Sequence, residues 1–210
     1  MYTVRITHHP ATGKANELRD VLVAHSKASN AEGSPHNVSQ LLYAKETTFV
    51  NAIRHESLAA LEDYGVRNAN DPASIARRAK IAPCLDRPQT SELFENLAAA
   101  PATGEVNYAL RVTYEPALGK VVDLRQGLDK LVSAPIAGVV AKGLATQVAA
   151  PDGISFTLTY LFSTLAGLEE FRRASQSDPT TQTFRAQAGN LLAGHACNEL
   201  HRIWARFTDK

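Results

Sequence analysis

The sequence predicts an α+β fold in which one βαββαβ unit is written twice, each copy folding an antiparallel sheet with its helices on a single face. Three observations carry this expectation. The two halves align with each other, strand-like alternation gives way to helix-like spacing at matching points in both, and helix-start signals recur at the same places.

Sliding the chain by 106 positions sets residues 2–22 over 108–128. The segments share Tyr, Arg, Thr, Pro, Ala, Gly, Lys, Leu, Arg and Leu, ten identities in 21 positions. A shift of 107 then aligns Phe49 with Phe156, Leu61 with Leu168, Glu62 with Glu169, Asp71-Pro72 with Asp178-Pro179, and Glu92-Leu93 with Glu199-Leu200. The single residue of slippage falls between the first helix and the third strand, where a turn absorbs it. Residues 98–106, mostly small and carrying Pro101 and Gly104, read as a linker. The expected organisation is a first repeat over 1–100 and a second over 107–210.

In the opening strand Val4, Ile6 and His8 point one way and Arg5, Thr7 and His9 the other. The second copy sets Leu110, Val112 and Tyr114 against Arg111, Thr113 and Glu115. Pro10 and Gly13, or Pro116 and Gly119, break the strand. Ala15, Leu18, Val21, Leu22 and His25 then recur at helical spacing, as do Val121, Leu124, Leu128 and Leu131. His25 stands where the second copy has Leu131, so a packed or half-buried imidazole is expected.

Ala-Pro-Asp-Gly at 150–153 is a turn, proline presetting φ and glycine permitting φ > 0, and it joins a second strand to a third. Phe156, Leu158, Tyr160 and Phe162 share one face of that third strand, and Ser155, Thr157 and Thr159 the other. Ser57 and Thr164 are N-cap residues before Leu-Ala-x-Leu-Glu, and Asp71-Pro72 and Asp178-Pro179 open a further short helix through Arg78 or Arg185. Each copy closes with a strand, SELFENL or NELHRIWARF. This order is the ferredoxin-like arrangement, which leaves one sheet face bare. A bare apolar face of that size needs a cover, so the two sheets are expected to pack face to face within the chain.

Composition narrows the partners. Lys+Arg number 22 against 21 for Asp+Glu, a formal net charge of +1, which does not suit a surface that tracks phosphates. Nucleic acid is not an expected partner. No apolar run approaches a membrane span and the first residues lack the features of a signal peptide, so a cytoplasmic location without a membrane partner is expected. The two cysteines, Cys84 and Cys197, show no metal-binding spacing and are expected as buried or semi-buried thiols.

The strand followed by P-x-x-G-K (10–14 and 116–120), the S/T-L-A-x-L-E helix opening, the Asp-Pro helix start and the final S/N-E-L strand resemble the dimeric α/β-barrel superfamily, particularly its NIPSNAP-like members. The resemblance implies two ferredoxin-like sheets closing as an α/β barrel inside one chain, with a small apolar or anionic molecule bound or transformed between them. Relatives include cofactor-independent monooxygenases, lactone isomerases, polyketide cyclases and haem-degrading oxygenases. The chemistry implied is of the cofactor-independent oxygenase or isomerase type, with no cofactor. A catalytic role, a non-catalytic ligand-binding role and, further off, haem binding stay open, as does pairing of the chain into a homodimer.

Within that frame Arg5 and Arg111, with Thr7 and Thr113, are polar residues kept by both copies at the middle of the first strand. Lining a barrel, their guanidinium forks suit an anionic substrate; the plainer expectation is an exposed or salt-bridged arginine. Asn51 and His55 occupy the places of Leu158 and Phe162, which suits a binding or acid–base site in the first half alone; the plainer expectation is a partly solvated strand end around His55. No catalytic residue is singled out. His8 and His9, adjacent on a strand, cannot ligate one metal, and a surface role is expected for them. His195 and His201, near Trp204, are the histidines a haem would draw on, although nothing in their spacing demands iron. Cys84 aligns with Leu191 and is expected as a packed thiol; Tyr160, Phe162 and Trp204 are expected in the core.

Overall fold

In each repeat a glycine turns the first strand into the first helix. Gly13 and Gly119 sit at φ +79° and +75°, and the N–H groups of Lys14 and Lys120 donate to the carbonyls of Ala11 and Ala117, each at 2.9 Å. This is a four-residue turn whose third position requires left-handed backbone. The computed structural model describes residues 1–100, 102–148 and 153–207. The first repeat comprises β1 (Tyr2–His8), α1 (Ala15–Ala31), β2 (His36–Leu42), β3 (Phe49–His55), α2 (Leu58–Asn70), α3 (Pro72–Ile81), a short 3-10 turn and β4 (Thr90–Ala99). The second comprises β5 (Tyr108–Tyr114), α4 (Val121–Ser133), β6 (Ala141–Gln147), β7 (Phe156–Phe162), α5 (Leu165–Ser177), α6 (Pro179–Leu191) and β8 (Cys197–Ala205). The Ala-Pro-Asp-Gly turn lies outside the described residues apart from Gly153, as does Pro101 of the linker.

The helix starts follow the expected capping chemistry. The Ser57 and Thr164 hydroxyls accept from the N–H groups of Ala60 and Gly167, both at 3.1 Å. The Asp71 and Asp178 carboxylates accept from Ser74 N–H at 2.8 Å and Thr181 N–H at 2.7 Å, with proline in the first turn of both helices. α3 and α6 continue beyond Arg78 and Arg185, to Ile81 and Leu191. Arg78 donates to the Asn68 and Ala69 carbonyls, and Arg185 to the Ser175 carbonyl, tying the third helix of each repeat to the end of the second.

Strand hydrogen bonding follows the order β1-β3-β2-β8-β5-β7-β6-β4 and closes into an eight-stranded barrel. By contacts the chain divides into two compact units, Met1–Phe94 with Arg202–Lys210, and Glu95–His201. The division falls inside β4 and β8 rather than in the linker, for a local reason. Ala100 N–H donates to the Lys142 carbonyl at 2.9 Å, which holds the end of β4 in the second unit, and Trp204 Nε1–H donates to Gln40 at 3.1 Å, which holds the end of β8 in the first.

Residues directly opposed across an antiparallel pair share a face. In the first unit Tyr2, Val4, Ile6 and His8 oppose His55, Ile53, Asn51 and Phe49, while His36, Val38 and Gln40 oppose Ile53, Asn51 and Phe49. This is the face under the helices: Val38 and Phe49 join Leu18 and Leu22 of α1, Ile81 of α3 and Cys84 in one apolar cluster, with Trp204 packed against it. In the second unit Val112, Tyr114, Leu144, Phe156, Leu158, Tyr160 and Phe162 meet Leu124, Leu128 and Leu131 of α4, Phe171 of α5 and Phe184 of α6. Among the described residues no helix is long and apolar enough to cross a membrane.

Because Gly119 adopts a conformation that a Cβ opposes, Gly119→Ala is expected to lower stability by about 1 kcal/mol without altering the fold. Urea unfolding checks this, and an unchanged midpoint would remove the turn from the list of what specifies the repeat.

Candidate functional site

The inward stripe of α1 changes character along its length. Leu18 and Leu22 are apolar and fully covered, but the next positions facing the sheet are His25, Ser26, Ser29 and Asn30. The sheet beneath changes in step: Val38 and Phe49 at one end give way to His36, Asn51 and His55 at the other. Tyr64 and Asn68 of α2 and Arg77 of α3 complete a polar cluster between the helices and sheet of the first unit. His36 is wholly buried, and Asn51 and His55 are buried; His25, Tyr64, Asn68 and Arg77 are half-buried and form its rim.

The rings form a connected series. His25 and His36 lie edge to face at 4.8 Å between centroids, His36 and Tyr64 at 6.3 Å, and Tyr64 and His55 at 5.0 Å. Arg77 Nη1 donates to His25 Nδ1 at 3.0 Å, which leaves the His25 proton on Nε2. Arg77 Nη2 donates to Asn68 Oδ1 at 3.0 Å and Ser74 Oγ at 3.3 Å, and Ser74 Oγ–H donates to Asn68 Oδ1. Asn30 holds the backbone of His36 from both sides: Oδ1 accepts from His36 N–H at 2.6 Å, and Nδ2 donates to the His36 carbonyl at 3.0 Å and to the Arg206 carbonyl at 2.8 Å.

Burial keeps the imidazoles neutral. His36 is pushed down to about 3 by desolvation, helped by the nearby His25, Arg77 and His55, and His25 to about 4 by desolvation and the Arg77 charge. Desolvation also lowers His55 and raises the Tyr64 phenol. Both ring nitrogens of His36, Nε2 of His55, Oδ1 of Asn51 and the Ser26 hydroxyl are buried without a hydrogen-bond partner. Such groups are rare in folded proteins, and an ordered water or ion is a common partner for them.

The second unit has apolar side chains at most of the matching positions. His25, Asn51, His55, Tyr64 and Arg77 have Leu131, Leu158, Phe162, Phe171 and Phe184 as counterparts, and His36, opposite Ile53, has Lys142, opposite Tyr160. Phe171 stacks on Tyr160 at 4.6 Å and on Phe162 at 5.6 Å, and Phe184 on Tyr114 at 5.6 Å. Lys142 Nζ donates to the carbonyls of Leu131 (2.7 Å) and Ala134, covering the end of α4.

The sequence-derived candidates divide between two faces. Arg5 and Thr7 lie on the helix-free face of the first sheet, and Arg111 and Thr113 on that of the second, where Thr113 and Thr157 hydroxyls meet at 3.3 Å. Asn51 and His55 point the other way, so the thickness of the sheet separates them from Arg5 and Thr7, and these residues do not share one face. Arg5 is not an exposed arginine: its side chain is 13% exposed, beside Glu92 at 4.0 Å and over the Phe94 ring. His8, expected at the surface, is buried and accepts from Gln89 Nε2 at 2.9 Å, whereas His9 meets Arg87 at 2.8 Å near the surface. Cys84 is packed as expected, but Cys197 is exposed. His195 is exposed, and buried His201 pairs with Glu199 at 3.3 Å.

His36, Tyr64 and Arg77 were not among the sequence-derived candidates. The signal was the one that revealed Asn51 and His55, a polar residue where the other copy has an apolar or aliphatic one, and it was present at Tyr64 and Arg77 as well. Among the described residues no group of three or more His, Cys, Asp or Glu is placed to hold a metal.

No family model matches the sequence, and no curated protein does. Solved structures do. A protein of Fusobacterium nucleatum provisionally named a monooxygenase is 11% identical, covering 100% of this chain and 94% of its own, with a TM-score of 0.77. A protein of Lactobacillus acidophilus with the same provisional name is 10% identical over 99% of each chain, with a TM-score of 0.70. An anthrone oxidase-like protein is 12% identical over 100% and 94%, with a TM-score of 0.67. At these identities the likeness is one of fold. The chain shares the ferredoxin-like α/β-barrel fold of these structures; none of the three bears the NIPSNAP name.

Two measurements probe the cluster. Histidines whose folded values lie below the unfolded 6.5 bind fewer protons when folded, so their contribution to stability is complete above about pH 6.5. It is lost as pH falls toward 4 for His8 and His25 and 3 for His36. Thermal melts from pH 7.5 down to 4.5 should therefore show falling stability, with a shallower fall in His36→Leu. His55→Phe, which installs the second repeat's residue, should raise stability by about 1 kcal/mol by removing a buried unpartnered nitrogen; a loss instead would mean His55 has its partner inside the protein.

Proposed function

We propose that the polar cluster of the first repeat binds a small aromatic molecule carrying an acidic C–H or O–H group and transforms it by cofactor-independent oxygenase or isomerase chemistry. The observation that carries this reading is the set of buried, unpartnered atoms on His36, His55 and Asn51, in a place that the second repeat fills with apolar side chains. Folding alone has no use for them, since the same backbone is satisfied by Leu158 and Phe162.

In this reading His55 Nε2 is the base. Its neutral form is available at pH 7, and it is the less buried of the two inner imidazoles by position at the end of β3. Asn51 and His36 orient the reacting group, and the resulting enolate or phenolate is a carbanion equivalent that reacts with dioxygen or takes its proton back elsewhere. For an anthrone the balance is anthrone plus dioxygen giving anthraquinone plus water. The name of one structural neighbour makes anthrone the natural probe. Haem is the weaker reading, because exposed His195 and Glu199-bound His201 are poorly suited as axial ligands.

The test is aerobic incubation of the full chain with anthrone, following anthraquinone by absorbance. Turnover should fall on the order of a hundredfold or more in His55→Phe. Binding without turnover would retire the oxygenase reading and leave a ligand-binding module; neither binding nor turnover would sink the site.

A further inference from the structure

Two arginines stand side by side on α3, and they face different surroundings. Arg78 ties α3 to the end of α2, and its counterpart Arg185 does the same in the second repeat. Arg77 has Phe184 as its counterpart, a residue packed on Tyr114 and close to Gly127. The architecture therefore accepts an apolar ring at this place, and the guanidinium needs another reason.

Among the described residues no carboxylate hydrogen-bonds to or ion-pairs with Arg77. The hydrogen-bond acceptors of Arg77 are His25 Nδ1, Asn68 Oδ1 and Ser74 Oγ, all neutral. His25 and His36 stay unprotonated at pH 7, so neither adds nor offsets charge. The Asp71 carboxylate is committed to the start of α3, accepting from Ala73 and Ser74 N–H, and enters the electrostatics of Arg77 only as a minor influence. Three acceptors for five N–H donors leave at least two donors uncommitted. A half-buried guanidinium with neutral contacts alone is costly, and it is relieved by an anion in the same low-dielectric space.

We propose that the first-repeat cluster selects a carboxylate-bearing aromatic molecule, with Arg77 holding the carboxylate at the rim and the ring lying inward toward His36, Asn51 and His55, one molecule per chain. This rests on the functional reading above and adds the charge of the ligand and its anchor. A planar fork on a carboxylate gives two parallel hydrogen bonds. The second repeat, with Phe184 and Leu131 at the rim positions, offers no counterpart to it.

The test uses naphthoate and naphthamide, a pair of matched shape that differs in charge, titrated calorimetrically into the full chain and into Arg77→Gln and Arg77→Lys. The native chain should bind one naphthoate, about tenfold or more tighter than naphthamide. Arg77→Gln should abolish the preference, and Arg77→Lys should keep part of it, since it retains the charge and loses the fork. Thermal melts establish that the variants fold, and Arg77→Lys carries the test should Arg77→Gln not. Equal affinity of the native chain for both probes, or an anion preference that survives Arg77→Gln, overturns the assignment while leaving the site. Failure of both probes to bind, together with no reaction of anthrone, overturns the site itself.

Discussion

Antiparallel pairing forces directly opposed residues onto one face of a sheet, and in each repeat helices cover only one of the two faces. Every functional inference about this protein follows from that constraint. Because Val38 opposes Asn51 and His36 opposes Ile53, polar residues on β2 and β3 arrive beneath the same helices. Because Ile6 opposes Asn51, its neighbours Arg5 and Thr7 are carried to the other side. No adjustment of side-chain rotamers moves a residue across the sheet.

The second repeat displays what the fold prefers when nothing else is asked of it. Its layer between sheet and helices is filled by Leu124, Leu128, Leu144, Leu158 and Phe162, and the buried Lys142 covers carbonyls at the end of α4. The first repeat keeps an apolar cluster only around Leu18, Leu22, Val38 and Phe49, and beyond it gives core positions to imidazoles and amides. Each buried group without a partner costs about 1–3 kcal/mol. The duplication thus places that cost in one copy, while the other fills the matching positions with apolar side chains.

Within the first repeat the same low dielectric acts in opposite directions on different groups. It disfavours the charged form of the inner histidines and so keeps them neutral. It cannot do the same to a guanidinium, so Arg77 remains a positive charge among neutral neighbours. The neutral imidazoles thus lie behind a guanidinium at the rim, which gives the cluster a polarity from the surface inward. Asn30 fixes the inner wall by holding both backbone groups of His36, and through the Arg206 carbonyl it also holds the end of the chain.

The sequence by itself determined the repeat, the element order and the chemistry of the local boundaries. Ten identities over the first strand and helix, Ser57 and Thr164 as caps, Asp71 and Asp178 before proline, and Gly13 and Gly119 after the first strand are all read within a few residues, and each is enforced by a hydrogen bond or a dihedral angle equally local. It also showed Asn51 and His55 as departures from the second copy. What only the tertiary structure decided was which strand face the helices cover, that His8 is buried while Cys197 is exposed, and that His25, His36, Tyr64 and Arg77, drawn from four separate elements, converge on Asn51 and His55. The physical reason is that alternation fixes which residues share a face but not which face is covered. That choice is made by helices packing from a distance along the chain, and a cluster spread from His25 to Arg77 exists only once they have packed.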